Sequence, residues 1–184
     1  LRIIGGKYRG KHLDLPSGLS ARPTTDFARE GLFDILSTRI SFEDTDVLDL
    51  FSGTGSISFE FISRGAKTVH LVEYNQRNIF FIRRTIKDMN ISNIKAVRLD
   101  VREFLKVCRY TYDIIFADPP FDLPWLKKLP GMVLDTDLLN EGGFLIVEHP
   151  GEISFNDHPG FFEHRKYGRV NFSFFSQPRD FRQQ

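Results

Sequence analysis

The sequence predicts an α/β fold: a doubly wound, mostly parallel sheet, covered by helices on both faces and closed by a terminal hairpin. Three features predict it. Short apolar runs alternate with helical segments between residues 47 and 147, and such alternation calls for parallel strands joined by crossover helices. The first apolar run passes directly into a Gly-rich turn that opens a helix, as in ligand-binding βα units. The last two extended runs, Phe161–Tyr167 and Val170–Phe175, are joined only by Gly168-Arg169, which reads as a β-hairpin.

The elements follow in order. Residues 1–15 read as a short N-terminal β-hairpin: Arg2–Ile4, a turn at Gly5-Gly6, and a second extended stretch at Lys11–Leu15, closed by Pro16-Ser17-Gly18. Arg22-Pro23-Thr24-Thr25-Asp26 leads into a helix. Thr25 or Asp26 can cap it, and Ala28, Leu32, Ile35 and Leu36 give it an apolar face. Strands are expected at Val47–Phe51, Thr68–Val72, Ile94–Leu99, Tyr112–Ala117 and Phe144–Val147. Helices are expected at Ser56–Ser63, Asn75–Met89, Val101–Val107 and Leu123–Leu139, the last interrupted at Pro130.

A chain of 184 residues suits one domain, 1–184, with residues 1–20 as a basic hairpin extension. The composition is ordinary for a soluble globular protein. No apolar run approaches the roughly 18 residues needed to span a membrane. No signal peptide is visible, although Leu1 suggests that the true start was trimmed. Cys108 is the only cysteine, so no internal disulfide can form, which fits a reducing cytoplasm. The five histidines show no H-x-x-x-H spacing, and no metal site is expected.

The net charge of +1 hides an asymmetry. Residues 1–25 hold Arg2, Lys7, Arg9, Lys11 and Arg22 against Asp14, for +4. Residues 161–184 hold five cations against two acids, for +3, which leaves −6 for the remainder. Positive ends on an acidic middle suggest a polyanionic partner held at the ends and not by the middle.

Four motifs carry chemistry. Val47-Leu-Asp-Leu-Phe-Ser-Gly-Thr-Gly-Ser56 is a strand running into a turn where Gly53 and Gly55 let a ligand approach the backbone after Phe51. Asp49 is an acid inside that apolar strand and is expected to face a ligand cation, directly or through water. Glu73 ends the second strand, 18 residues after Gly55, where a carboxylate can accept both hydroxyls of a ribose. Asp100 lies just past the third strand. It can accept from an adenine amino group while the backbone at Val101 pairs with a ring nitrogen, and it can also cap the following helix. The most specific motif is Asp118-Pro119-Pro120-Phe121 after the fourth strand. Two prolines remove two N–H donors, so the loop offers carbonyls and a carboxylate only. Asp118 and the Pro119 carbonyl could hold the two N–H bonds of a planar amine, with Phe121 stacked on its ring.

With these residues in place, the sequence resembles the class I S-adenosylmethionine-dependent methyltransferases, and its D-P-P-F loop resembles those that modify exocyclic amines. The flanks Arg2–Gly10, Arg22–Asp26 with Arg29-Glu30, and Tyr167–Phe172 are similar to the bacterial 16S ribosomal RNA guanine-N2 methyltransferases. The resemblance covers almost the whole chain; Ser52 stands where Ala is common. It implies a seven-stranded sheet with an antiparallel last strand. It also implies S-adenosyl-L-methionine as cofactor, Thr24 and Thr25 near its methionine end, and the N-terminal basic segment (Arg2, Lys7, Arg9, Lys11, Arg22) on RNA. The implied partner is 16S ribosomal RNA or the assembling small subunit, bound by a monomer.

Four rival readings remain open. A DNA adenine-N6 methyltransferase would use the same loop, but no insert is long enough for a target-recognition domain. A glutamine-amide methyltransferase usually carries Asn before the prolines. An NAD-dependent oxidoreductase leaves Asp118–Phe121 unexplained, and the intact acceptor loop argues against an inactive RNA-binding module.

Overall fold

A computed structural model describes residues 1–16 and 24–177. Seven strands form one sheet: β1 (Asp46–Leu50), β2 (Thr68–Glu73), β3 (Ile94–Arg98), β4 (Tyr112–Ala117), β5 (Leu139–His149), β6 (Phe161–Tyr167) and β7 (Val170–Phe175). Their spatial order is β3-β2-β1-β4-β5-β7-β6. All pairs are parallel except those made by β7, which runs antiparallel to both β5 and β6. The expected sheet with an antiparallel last strand is therefore present.

Strand residues alternate between two apolar layers. Val47, Ile114 and Ile146 pack under α1 (Asp26–Ser37), α2 (Ser56–Ser63) and α3 (Gln76–Asp88). Leu48, Ile115 and Val147 pack under α4 (Val101–Val107) and α5 (Leu129–Leu134). Burial of both faces explains why β1 and β4 read as near-continuous apolar runs. The helices start at side-chain caps. Thr25 Oγ1 accepts from the Ala28 N–H at 3.2 Å, and Asn75 Oδ1 accepts from the Arg77 N–H at 2.8 Å. Gly31 weakens α1 intrinsically but makes room for the Tyr167 ring, whose hydroxyl donates to the Gly31 carbonyl at 3.1 Å.

Two expected elements take a different form. The helix foreseen at 123–139 is a single 3-10 turn at Leu126–Lys128 followed by the short α5, and β5 already begins at Leu139. Pro130 does not interrupt a helix; it sits in the first turn of α5, where its missing N–H costs little. At the N-terminus the two arms run antiparallel, but they form one bridge, Arg2 with His12, and no strand. Backbone bonds cross between the arms, from the Ile3 N–H to the Lys11 carbonyl at 3.0 Å and from the Leu13 N–H to the Leu1 carbonyl at 2.7 Å, and the turn that joins them is tied to α2. The Ile4 and Gly5 N–H groups donate to the Glu60 carboxylate at 2.9 and 2.8 Å, and the Lys7 N–H donates to the Ser63 carbonyl at 2.6 Å. Gly6, at φ 72°, lies so close to the Ser63 carbonyl that any side chain would collide. Gly6 therefore serves this packing.

Glu60 is fully buried and is also paired with Arg64 at 2.9 Å. Glu60→Ala should destabilise the protein by about 3–5 kcal/mol, the usual cost of breaking a buried charge network from one side. It should also speed hydrogen exchange at the Ile4 and Gly5 amides. Urea unfolding and amide exchange measure the two effects, and an unchanged exchange rate would refute this anchoring.

Candidate active site

Connections from β1 run towards β3, whereas those from β4 run the other way. The chain thus parts between β1 and β4, and a crevice opens above their carboxyl ends. A cleft of about 520 Å³ occupies it. The turn after β1 contributes Phe51, Ser52, Gly53, Thr54 and Ser56; the end of β2 contributes Val72, Glu73 and Tyr74; and the start of α4 contributes Leu99, Asp100 and Val101. Asp118, Pro119, Pro120 and Phe121 form the wall after β4, Glu148 closes the end of β5, and Thr24 enters from the segment before α1.

The turn after β1 is built to present backbone. Gly53 (φ 56°) and Gly55 (φ 79°) are left-handed, and so is Phe51 (φ 60°), where a side chain makes that conformation costly. The Phe51 ring leans on Trp125, 5.9 Å away, and the Arg102 guanidinium lies 5.6 Å from the same indole. This stack braces the loop after β4 against the Gly turn. A Cβ added at Gly53 would meet no atom of the described residues within 4 Å, so its absence leaves open space beside the cleft. Glu73 reaches back to the turn, where its carboxylate accepts from the Gly53 N–H at 2.8 Å and the Asn75 N–H at 2.6 Å.

Asp100 caps α4 by accepting from the Arg102 N–H at 2.9 Å. Its hydrogen bond to the Arg102 side chain is the main reason its pKa lies below the usual carboxylate value. On the far wall the Thr24 hydroxyl donates to Glu148 Oε2 at 2.6 Å, and both side chains are buried. This bond ties the entry to α1 to the end of β5.

Several sequence-selected residues do not line the cleft. Asp49 lies beneath it, 1% exposed, between Leu71 and Phe116 on the neighbouring strands, and accepts from the Ser58 hydroxyl at 2.5 Å. Thr25 caps α1, and Gly55 caps α2 with its backbone. Arg2 is paired with Asp26 at 3.0 Å, while Lys7, Arg9 and Lys11 are exposed on the N-terminal arm. Arg22 lies outside the described residues. Glu148 was missed, although the rule that selected Glu73 and Asp118, an acid at a strand's carboxyl end, applies equally to it. Among the described residues, no group of three His, Cys, Asp or Glu side chains could hold a metal ion.

Four carboxylates therefore surround the cleft: Glu73, Asp100, Asp118 and Glu148. This environment suits a cationic ligand rich in N–H and O–H donors and repels a pyrophosphate. The Gly53 turn leaves room for such a ligand to approach the backbone closely.

Burial pushes the Asp49 carboxyl up to about 7, against the Ser58 hydrogen bond, which lowers it. The native state thus holds a proton that the unfolded chain releases. The resulting stabilisation is full below about pH 4 and is lost as pH rises towards 7. Asp49→Asn should flatten this slope. Urea unfolding at about pH 4.5 and about pH 7.5 tests it: the fall in stability should be smaller in the variant than in the parent.

The profile of the family described as conserved hypothetical protein 95 matches residues 1–176. A ribosomal RNA small subunit methyltransferase D from Buchnera aphidicola subsp. Baizongia pistaciae is 30% identical over 154 residues, 84% of this chain and 78% of that protein. The protein of the same name from Escherichia coli K12 is 32% identical over 148 residues, 80% of this chain and 74% of that protein. A solved structure from Escherichia coli, described there as a candidate methyltransferase, yhhF, superposes with a TM-score of 0.83 at 28% identity, covering 96% of this chain and 97% of that one. With its order of strands, its antiparallel β7 and these relatives, the chain belongs to the family of the bacterial ribosomal RNA small subunit methyltransferases D and carries the class I methyltransferase fold.

Proposed function

We propose that this protein uses S-adenosylmethionine to methylate the exocyclic N2 amine of a guanine in 16S ribosomal RNA, in the cytoplasm. The observation that carries this reading is the loop Asp118–Phe121, whose two prolines carry no N–H, in the same cleft as Glu73 and Asp100. The names of the ribosomal relatives support RNA as the substrate.

S-adenosylmethionine, when bound, supplies a methyl group on a positively charged sulfur. The protein must hold an amine in line with that methyl, and orientation of this kind is worth several kcal/mol. The amine's lone pair is delocalised into the guanine ring, which makes it a poor nucleophile. The Asp118 carboxylate and the Pro119 carbonyl accept its two N–H bonds and turn the lone pair out of the ring plane. Phe121 stacks on the base, which has to be unstacked or flipped to enter. Asp118 need not remove a proton first, because the amine sheds it after the N–C bond forms. Glu73 binds the ribose hydroxyls, Asp100 and Val101 bind the adenine, and Thr24 and Phe51 close the methionine end. Cations of the N-terminal arm, Lys7, Arg9 and Lys11, hold phosphates.

Incubation with methyl-labelled cofactor and undermethylated small-subunit RNA, followed by digestion to nucleosides, tests the reading. N2-methylguanosine is expected; label in N6-methyladenosine or in protein would overturn it. Two substitutions should separate the roles inside the cleft. Asp118→Ala should keep S-adenosylhomocysteine affinity within a few-fold and lose most of kcat. Glu73→Ala should weaken that affinity by about 1.5–3 kcal/mol, as for hydrogen bonds to a charged group. Calorimetry and single-turnover kinetics report both. Near-normal turnover in the Asp118 variant would refute its assignment.

A further inference from the structure

The middle of the chain, acidic in sum, is not acidic throughout. Residues 76–98 carry six cations, Arg77, Arg83, Arg84, Lys87, Lys95 and Arg98, against one acid, Asp88. The fold gathers three of them with exposed aromatic rings. Arg77, Phe80 and Arg84 follow one another along the solvent side of α3, opposite the buried Ile79 and Ile82. Together with Tyr74 and Arg98 they line a groove in which, among the described residues, no acidic side chain takes part. Phe80 and Tyr74 are each 69% exposed, unusual for rings with no role in the core.

The groove is continuous with two other features. Tyr74 lines both it and the active-site cleft. At its other end Phe80 and Arg84 also border the N-terminal arm at Lys11 and His12. Arg84 pairs with Asp88 at 3.5 Å with both side chains exposed, a contact too weak to withhold the guanidinium from a phosphate.

We propose that this groove is a track for single-stranded RNA flanking the target nucleotide, passing from the cleft over Tyr74 and along α3 to the N-terminal arm. The proposal rests on the RNA substrate argued above and extends it to residues outside the cleft. Guanidinium groups match phosphates, and exposed rings offer faces on which unpaired bases stack regardless of sequence. A duplex would keep its bases from those rings, so the chemistry selects a single strand. It adds cations from the middle of the chain to those of the basic ends.

The test uses the full-length protein and a single-stranded fragment of small-subunit RNA that the parent enzyme methylates. Three properties are measured: RNA affinity against salt, S-adenosylhomocysteine affinity, and thermal stability. Arg77→Ala with Arg84→Ala should reduce the slope of log K against log salt by about 1.4, two single-strand phosphate contacts. Phe80→Ala should weaken RNA binding roughly 5- to 100-fold, the effect of one stacked base. Cofactor affinity and melting temperature should not move in either variant. Unchanged RNA affinity and slope in both would overturn the track. A fall in melting temperature with unchanged RNA binding would also overturn it, showing a structural role for these side chains. Failure of the parent enzyme to methylate guanine would instead strike at the proposed reaction, and the binding measurements would still report on the groove.

Discussion

The structure depends on β1 being held between two parallel neighbours. β2 and β4 pair with it along nearly its whole length, and apolar layers cover both of its faces. A strand so enclosed can present chemistry only at its ends. Parallel pairing then brings the ends of β2, β4 and β5 to the same edge, so acids far apart in sequence converge there. The left-handed residues Phe51, Gly53 and Gly55 are a consequence: the chain must reverse within a few residues to start α2 on the face it covers. Asp49 follows too, since a side chain one pleat below the turn on that face meets α2, and Ser58 of α2 is its partner.

Charge is sorted by depth. The crevice is walled by carboxylates, some fixed before any ligand arrives: Glu73 by two backbone N–H groups, Asp100 by Arg102 and Glu148 by Thr24. Pre-fixed acceptors lose little entropy on binding and suit a cation with many donors. Cations lie outside the crevice, on the N-terminal arm and along α3. The rim is thus positive and the crevice negative.

The arm itself is tied into this arrangement. Glu60 takes two arm N–H groups, and Arg29, buried on α1, donates to the Arg2 carbonyl at 2.8 Å. The exposed cations of the arm are thus carried on a backbone fixed to α2, the helix that begins at the Gly turn. These buried contacts set its position relative to the cleft.

Periodicity and turn chemistry by themselves determined the order and kind of nearly every element. The reason is local: alternating apolar runs, caps at Thr25 and Asn75, and glycines at sharp turns act within a few residues. They also determined Glu73, Asp100 and the Asp118–Phe121 loop, because each sits where a strand ends. What only the tertiary structure decided depends on contacts between distant segments. The turn of the N-terminal arm is fixed to α2 because Glu60 and Ser63, over fifty residues away, take its donors. Pro130 lies in the first turn of α5, and β5 starts at Leu139, where it pairs with Tyr112. Asp49 turned from the cleft to Ser58, Glu148 entered the cleft through Thr24, and the cations of α3 met Tyr74 and Arg98 across a groove. A linear sequence records which side chains exist; which of them face one another is set by sheet register and helix packing.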